Sequence, residues 1–172
     1  SQCYDPELIS SVKDYKKELG DDRLTITFTG MLYGGLRSLT PLFQAIRNIL
    51  NKHPDIAQHL AVQIVGGVRD VYRRLATEFG VENVVSVTGT VPYLESLAYM
   101  AKADVLLSLD SPSPGSIMLH PSKVAEYLGF KKPILAITPL DAGWVPLIRQ
   151  IGGIVVSPEN IDGIERVIMT LY

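Results

Sequence analysis

The sequence predicts an α/β fold: a doubly wound, six-stranded parallel sheet with helices on both faces. Six segments of strand length are almost continuously apolar, as strands buried on both faces are. Amphipathic segments of helical period lie between them. The apolar segments run into glycine, aspartate or proline-containing turns, the punctuation of tight strand–helix connections. Such alternation implies right-handed crossovers and a covered parallel sheet.

Taken in order, Tyr4-Asp5-Pro6 is a turn signal, and 7–19 reads as a charged helix with Leu8, Ile9, Val12, Tyr15 and Leu19 on its apolar face. A helix before the first strand either covers the sheet or ends a linker from an upstream domain. Residues 1–20 are assigned to the linker and leading helix, and 21–172 to the domain proper. The first strand, 24–29, ends at Gly30. Leu39, Leu42, Phe43, Ile46, Ile49 and Leu50 share one helix face. Strand 61–65 ends at Gly66-Gly67, and Val68, Val71, Tyr72, Leu75 and Phe79 mark the next helix. Strand 84–87 ends near Gly89, before a helix through Leu94, Leu97, Ala98 and Ala101. Strand 104–109 ends at Asp110 and leads into the Ser-Pro-rich loop 111–115. A helix over 122–130, strand 133–137, a helix over 142–151, strand 153–156 and a helix over 160–171 complete the chain. Asp141 is expected to cap the sixth helix and Gly152-Gly153 to stop it. The simplest strand order is 3-2-1-4-5-6, a Rossmann-like arrangement.

Composition narrows the function. The 172 residues are 47% hydrophobic and 20% charged, enough for one real core without disulfides or metals. Sixteen basic against 18 acidic residues leave a net charge of −2, so no global basic field argues for nucleic acid. No stretch reaches the roughly 18 apolar residues of a membrane span. No signal peptide opens the chain, and Cys3 stands alone, which fits a cytoplasmic protein. The absence of an initiator Met fits a piece cut from a longer protein.

In an open parallel sheet, ligands bind beyond the carboxyl ends of the strands. Gly30, Gly34-Gly35, Gly66-Gly67, Gly89, the 111–115 loop and Pro121-Ser122-Lys123 fall there. Glycines let a phosphate approach the backbone, although glycine in such a turn also serves geometry alone. Neither G-x-G-x-x-G after the first strand nor G-x-x-x-x-G-K-[ST] is present, so dinucleotide and P-loop readings lose their support. The most informative segment is 120–129, His-Pro-Ser-Lys-Val-Ala-Glu-Tyr-Leu-Gly. Lys123 in a helix's first turn opposes the helix dipole, and a capping-box glutamate would stand at 125, where Ala125 is. A bound diphosphate would explain the lysine, and Glu126, one turn into the helix, would then face a ribose diol. The plainer reading is an i,i+3 ion pair on a capped helix. The helix is expected to bury Val124, Ala125 and Leu128 and to turn Glu126 toward its other side.

With those residues in view, the sequence resembles the C-terminal, donor-binding half of a GT-B glycosyltransferase of the family 4 type used in bacterial polysaccharide synthesis. The pattern of proline, Ser/Thr, Lys and Glu-Tyr-Leu over 121–128, followed by Lys132-Pro133-Ile134, carries the resemblance. Tyr4-Asp5 matches the interdomain linker, and Phe28-Thr29-Gly30 with Arg37, Ile64-Val65-Gly66-Gly67, Thr88-Gly89-Thr90-Val91-Pro92 and Ala103-Asp104-Val105 match successive landmarks. The match covers essentially the whole chain.

By that resemblance Glu126 holds the nucleotide ribose, Ser122 and Lys123 meet the diphosphate, and the Val91 backbone receives the base. Gly30, Gly66 and Gly67 line the same end, and Arg37 neutralises diphosphate, though a solvated helix-start arginine has the same sequence. The implied activity is transfer of a sugar, hexosyl and retaining, from a nucleotide-diphosphate sugar to a glycan or lipid-linked acceptor. An N-terminal acceptor-binding domain would complete the enzyme and supply any peripheral membrane contact. No cofactor and no metal are expected, because the sugar nucleotide is a substrate. Two departures stand out. Met31 replaces a second basic residue after Gly30, and Met118 replaces the first of two glutamates with seven residues between them, which puts the usual donor-sugar contact in doubt. Two other readings of the same architecture stay open: a nucleotide-sugar epimerase half, and a non-catalytic nucleotide-sugar-binding module. His53 and His59 lack further metal ligands, His120 lies beside the proposed site, and Ser113 and Ser116 lack a nucleophile-elbow setting. Asp110 reads as a turn residue and Trp144 as a packing residue.

Overall fold

A computed structural model describes residues 6–12, 21–32, 38–110 and 122–172, with the side chains of Ser122 and Lys123 outside that description. The strands are β1 (Leu24–Thr29), β2 (Leu60–Val65), β3 (Val85–Gly89), β4 (Val105–Leu109), β5 (Ile134–Ile137) and β6 (Ile154–Val156). They form one sheet, every pair parallel, in the expected order β3-β2-β1-β4-β5-β6. The helices are α1 (Pro6–Val12), α2 (Thr40–Lys52), α3 (Arg69–Phe79), α4 (Tyr93–Lys102), α5 (Ser122–Phe130), α6 (Val145–Gln150) and α7 (Ile161–Leu171).

Burial on both faces explains the strand composition. In β1, Ile26 and Phe28 alternate with Thr25, Thr27 and Thr29, and all five are buried. Ile26 and Phe28 join one core with Phe43, Ile46, Tyr72, Ile164 and Ile168. On the opposite face Leu106, Ile134 and Ala136 pack with Ile9, Leu97, Met100, Tyr127, Trp144 and Ile148. β-Branched threonine suits a strand, and the Thr27 hydroxyl donates to Gln63 Oε1 at 3.0 Å, so its burial leaves no stranded polar atom. Trp144 is a packing residue, as expected, with its indole N–H unpaired among the described residues. A polar clamp fastens α7 to α2: Asn48 Nδ2 and Lys52 Nζ each donate to the Glu165 carboxylate at 2.6 Å. Burial pushes the Glu165 carboxyl up, but the hydrogen bonds from Lys52 and Asn48 outweigh it and hold the group below its ordinary value.

Two local expectations change, at the sixth helix and on α5. The leading helix is described over Pro6–Val12, with Ile9 and Val12 buried; 13–20 lie outside the described residues. The sixth helix begins at Val145 rather than 142, and the exposed Asp141 does not cap it. Turns occupy the preceding stretch, with Ala142 N–H bonded to Pro139 O (3.1 Å) and Val145 N–H to Ala142 O (2.9 Å). Pro146 explains the shift: lacking an N–H, it is tolerated only in a first turn. Gly152, at φ 78°, stops the helix as expected. Finally, α5 buries Val124, Glu126, Tyr127 and Phe130, whereas Ala125 is exposed and Leu128 is 41% exposed. The inward stripe runs 124, 127, 130, because the Tyr127 hydroxyl finds partners inside the protein.

Candidate functional site

The strand order reverses between β1 and β4, which opens a crevice beyond their carboxyl ends. The ends of β1, β2 and β3 are stitched by Gly30 N–H to Val65 O (2.9 Å) and Gly66 N–H to Gly89 O (2.7 Å). Gly66 has φ 111°, and a Cβ there would sit 2.6 Å from the Gly30 carbonyl oxygen. Only glycine lets these two turns approach so closely. Behind them, Tyr72 on α3 accepts the Leu32 N–H at 3.3 Å and ties the segment after β1 to α3.

Because β4 and β5 are parallel neighbours, the intervening α5 must start at their carboxyl end and run back along the sheet. Its N-terminus therefore faces that end of the sheet, where a helix carries its partial positive charge. One turn in, Tyr127 places its hydroxyl across the end of the β1–β4 ladder, whose register ends at the Phe28–Leu107 pair. That hydroxyl donates to Leu107 O at 3.0 Å, accepts from Thr29 N–H at 3.5 Å, and lies 3.3 Å from Thr29 Oγ1. Glu126, its chain neighbour, is 2% exposed. Its Oε1 accepts a hydrogen bond from Tyr93 Oη at 3.4 Å, across from the first turn of α4.

The crevice thus gathers Gly30, Gly66, Glu126 and the start of α5. Gly67 follows Gly66 at φ 73°, and half-buried Val91 lies in the turn between β3 and α4 on the same rim. Ser122 and Lys123 occupy the first turn of α5 by backbone, so neither their contacts nor the Lys123–Glu126 ion pair falls within the described side chains. Arg37, Gly34-Gly35, Met118, His120, Ser113 and Ser116 lie outside the described residues. Asp110 is buried, and its N–H extends the β4–β5 ladder to Ile137 O at 2.9 Å. Tyr93 and Tyr127 are the partners that sequence reasoning missed. Tyr93 reads as an ordinary first-turn helix residue, and nothing local announces a contact 33 residues away.

Elsewhere, a cavity of about 440 Å³ lies at the amino end of β5, lined by Leu128, Lys131, Pro133 and Ile151 among others. The crossover helices turn their N-termini to the opposite end of the sheet, so that end is the better candidate for an anion. Among the described residues no group of three or more His, Cys, Asp or Glu could hold a metal ion, and no helix is long and apolar enough to cross a membrane.

No protein-family model and no curated protein matches the chain. Solved structures do share its fold. WaaG, a glycosyltransferase involved in lipopolysaccharide biosynthesis, matches at TM-score 0.68 and 16% identity, over 96% of this chain and 41% of its own. HepE of Anabaena, crystallised in complex with UDP and glucose, matches at TM-score 0.65 and 18% identity, over 98% of this chain and 45% of its own. OtsA matches at TM-score 0.71 and 14% identity, over 98% of this chain and 42% of its own. The chain therefore spans less than half the length of each. At these identities the likeness shows the fold alone, a Rossmann-like parallel sheet covered by helices.

Proposed function

We propose that this chain is the nucleotide-sugar donor-binding half of a GT-B glycosyltransferase. The observation that carries the reading is Glu126: a buried carboxylate, one turn from the start of a crossover helix, at the switch-point crevice. A diol-binding carboxylate and a diphosphate-binding helix N-terminus belong together at that spacing. The shared fold supports the reading, as does a neighbour crystallised with UDP and glucose. Coverage of only 41–45% of the compared chains supports a partner domain, N-terminal in the family the sequence resembles, that carries the acceptor.

The reaction is transfer of a sugar from its nucleoside diphosphate to a glycan or lipid-linked acceptor, hexosyl and retaining by the same resemblance, on the cytoplasmic side. This half stabilises the leaving diphosphate. The N–H groups at the start of α5, with Ser122, Lys123 and Arg37, supply donors and positive charge where negative charge develops. Glu126 holds the ribose, Val91 offers its backbone to the base, and Gly30, Gly66 and Gly67 let the nucleotide lie against the main chain. The nucleotide sugar is a substrate, and no further cofactor enters the proposal. Alone, the 172 residues bind donor weakly and transfer nothing, since the cleft lacks its other wall.

Glu126→Ala tests this. Two charge-assisted hydrogen bonds to ribose, at about 1.5–3 kcal/mol each, correspond to a loss of about two to four decades in affinity. Calorimetric titration with uridine and guanosine diphosphates and their sugars should show that loss with the fold intact. A lowered melting temperature with unchanged affinity would remove Glu126 from the site.

A further inference from the structure

We propose that Tyr93 is a positioning residue for Glu126, setting the carboxylate so that the protein distinguishes ribose from deoxyribose nucleotides. The inference rests on the nucleotide reading above. Tyr93 is 40% exposed and Glu126 is 2% exposed, yet the phenol O–H donates to Glu126 Oε1 at 3.4 Å. The ring therefore stands at the lip of the crevice while its hydroxyl reaches inward. Its base is stiff. Pro92, at φ −55°, immediately precedes α4, and the Ser96 N–H bonds back to Pro92 O at 3.0 Å.

The chemistry explains why a donor is wanted there. A glutamate side chain carries three rotatable bonds, and bidentate recognition of a diol works only if the carboxylate plane is fixed. A carboxylate has about four acceptor positions, and one phenol O–H uses one of them. At 3.4 Å the bond is long for O–H···O and is expected to shorten in a nucleotide complex.

The test is calorimetric titration of the chain, with uridine and guanosine diphosphates and their 2′,3′-dideoxy counterparts as probes. Wild type should prefer the ribose form of whichever diphosphate binds better. Tyr93→Phe keeps the ring and should weaken ribose binding about five- to tenfold while leaving the dideoxy affinity unchanged, so the discrimination ratio falls. Tyr93→Leu should lower the ratio equally. Glu126→Ala should abolish discrimination. An unchanged ratio in Tyr93→Phe, with discrimination lost in Glu126→Ala, overturns the Tyr93 assignment alone. Equal weakening of both ligands in Tyr93→Leu and none in Tyr93→Phe marks a packing residue, which also overturns it. A wild type that binds neither diphosphate, or does not discriminate, overturns the Glu126 reading and this inference with it.

Discussion

Tyr127→Phe removes one oxygen from the middle of the molecule and nothing else. The residue is 1% exposed, so water cannot take the oxygen's place. The ring stays, so no cavity forms. What is lost is the bond donated to Leu107 O at 3.0 Å and the acceptor for Thr29 N–H at 3.5 Å, with the 3.3 Å contact to Thr29 Oγ1. A net hydrogen bond contributes about 1 kcal/mol, and a buried polar group left unsatisfied costs about 1–3 kcal/mol. Because β1 and β4 could close slightly over the gap, the expected loss is about 2–3 kcal/mol rather than the full sum. For a domain of this size, at about 2–4 °C per kcal/mol, the melting temperature should fall about 4–12 °C. Differential scanning calorimetry measures it, and urea unfolding with an unchanged slope would confirm that the unfolded state is not involved. A fall of less than about 2 °C would refute the view that this hydroxyl seals the β1–β4 junction.

Two further outcomes follow from single contacts. The folded-state value of Glu165 lies below the ordinary carboxylate value, so its contribution is present above that range and is lost as pH falls through the folded value. Glu165→Gln should therefore lower stability at neutral pH and flatten the acid limb of a pH–stability curve; an unchanged limb in urea titrations would mean the clamp to Lys52 and Asn48 is inert. Gly66→Ala forces a Cβ to within 2.6 Å of the Gly30 carbonyl oxygen at φ 111°, and should cost about 1–3 kcal/mol of stability and weaken diphosphate binding. A wild-type melting curve and affinity for this variant would show that the two turns need not touch.

Sheet composition and order were legible because β1, β4 and β5 are buried on both faces, which forces near-continuous apolar runs that few other structures require. Right-handed crossovers then leave little freedom in the order. Helix faces were less legible where an aromatic carries a polar tip. Leu128 looks more buried than Tyr127 by composition, but the Tyr127 hydroxyl meets two strands at once and the ring goes in while Leu128 stays out. The start of α6 lies beyond the place an aspartate cap at 141 would set, because Pro146, with no N–H, fits only a helix's first turn. At the site, the glycine turns and Glu126 were visible as residues. The grip on Glu126 was not, because Tyr93 belongs to another crossover and meets it only when α4 and α5 flank the same crevice.

The most direct measurement is a crystal structure of the chain with bound uridine or guanosine diphosphate. The account predicts the ribose hydroxyls at about 2.6–3.2 Å from the Glu126 carboxylate, the base against the Val91 backbone, and the diphosphate at the start of α5. A nucleotide seated elsewhere, such as the cavity beside Lys131 and Ile151 at the amino end of β5, with Glu126 still bonded only within the protein, would contradict it.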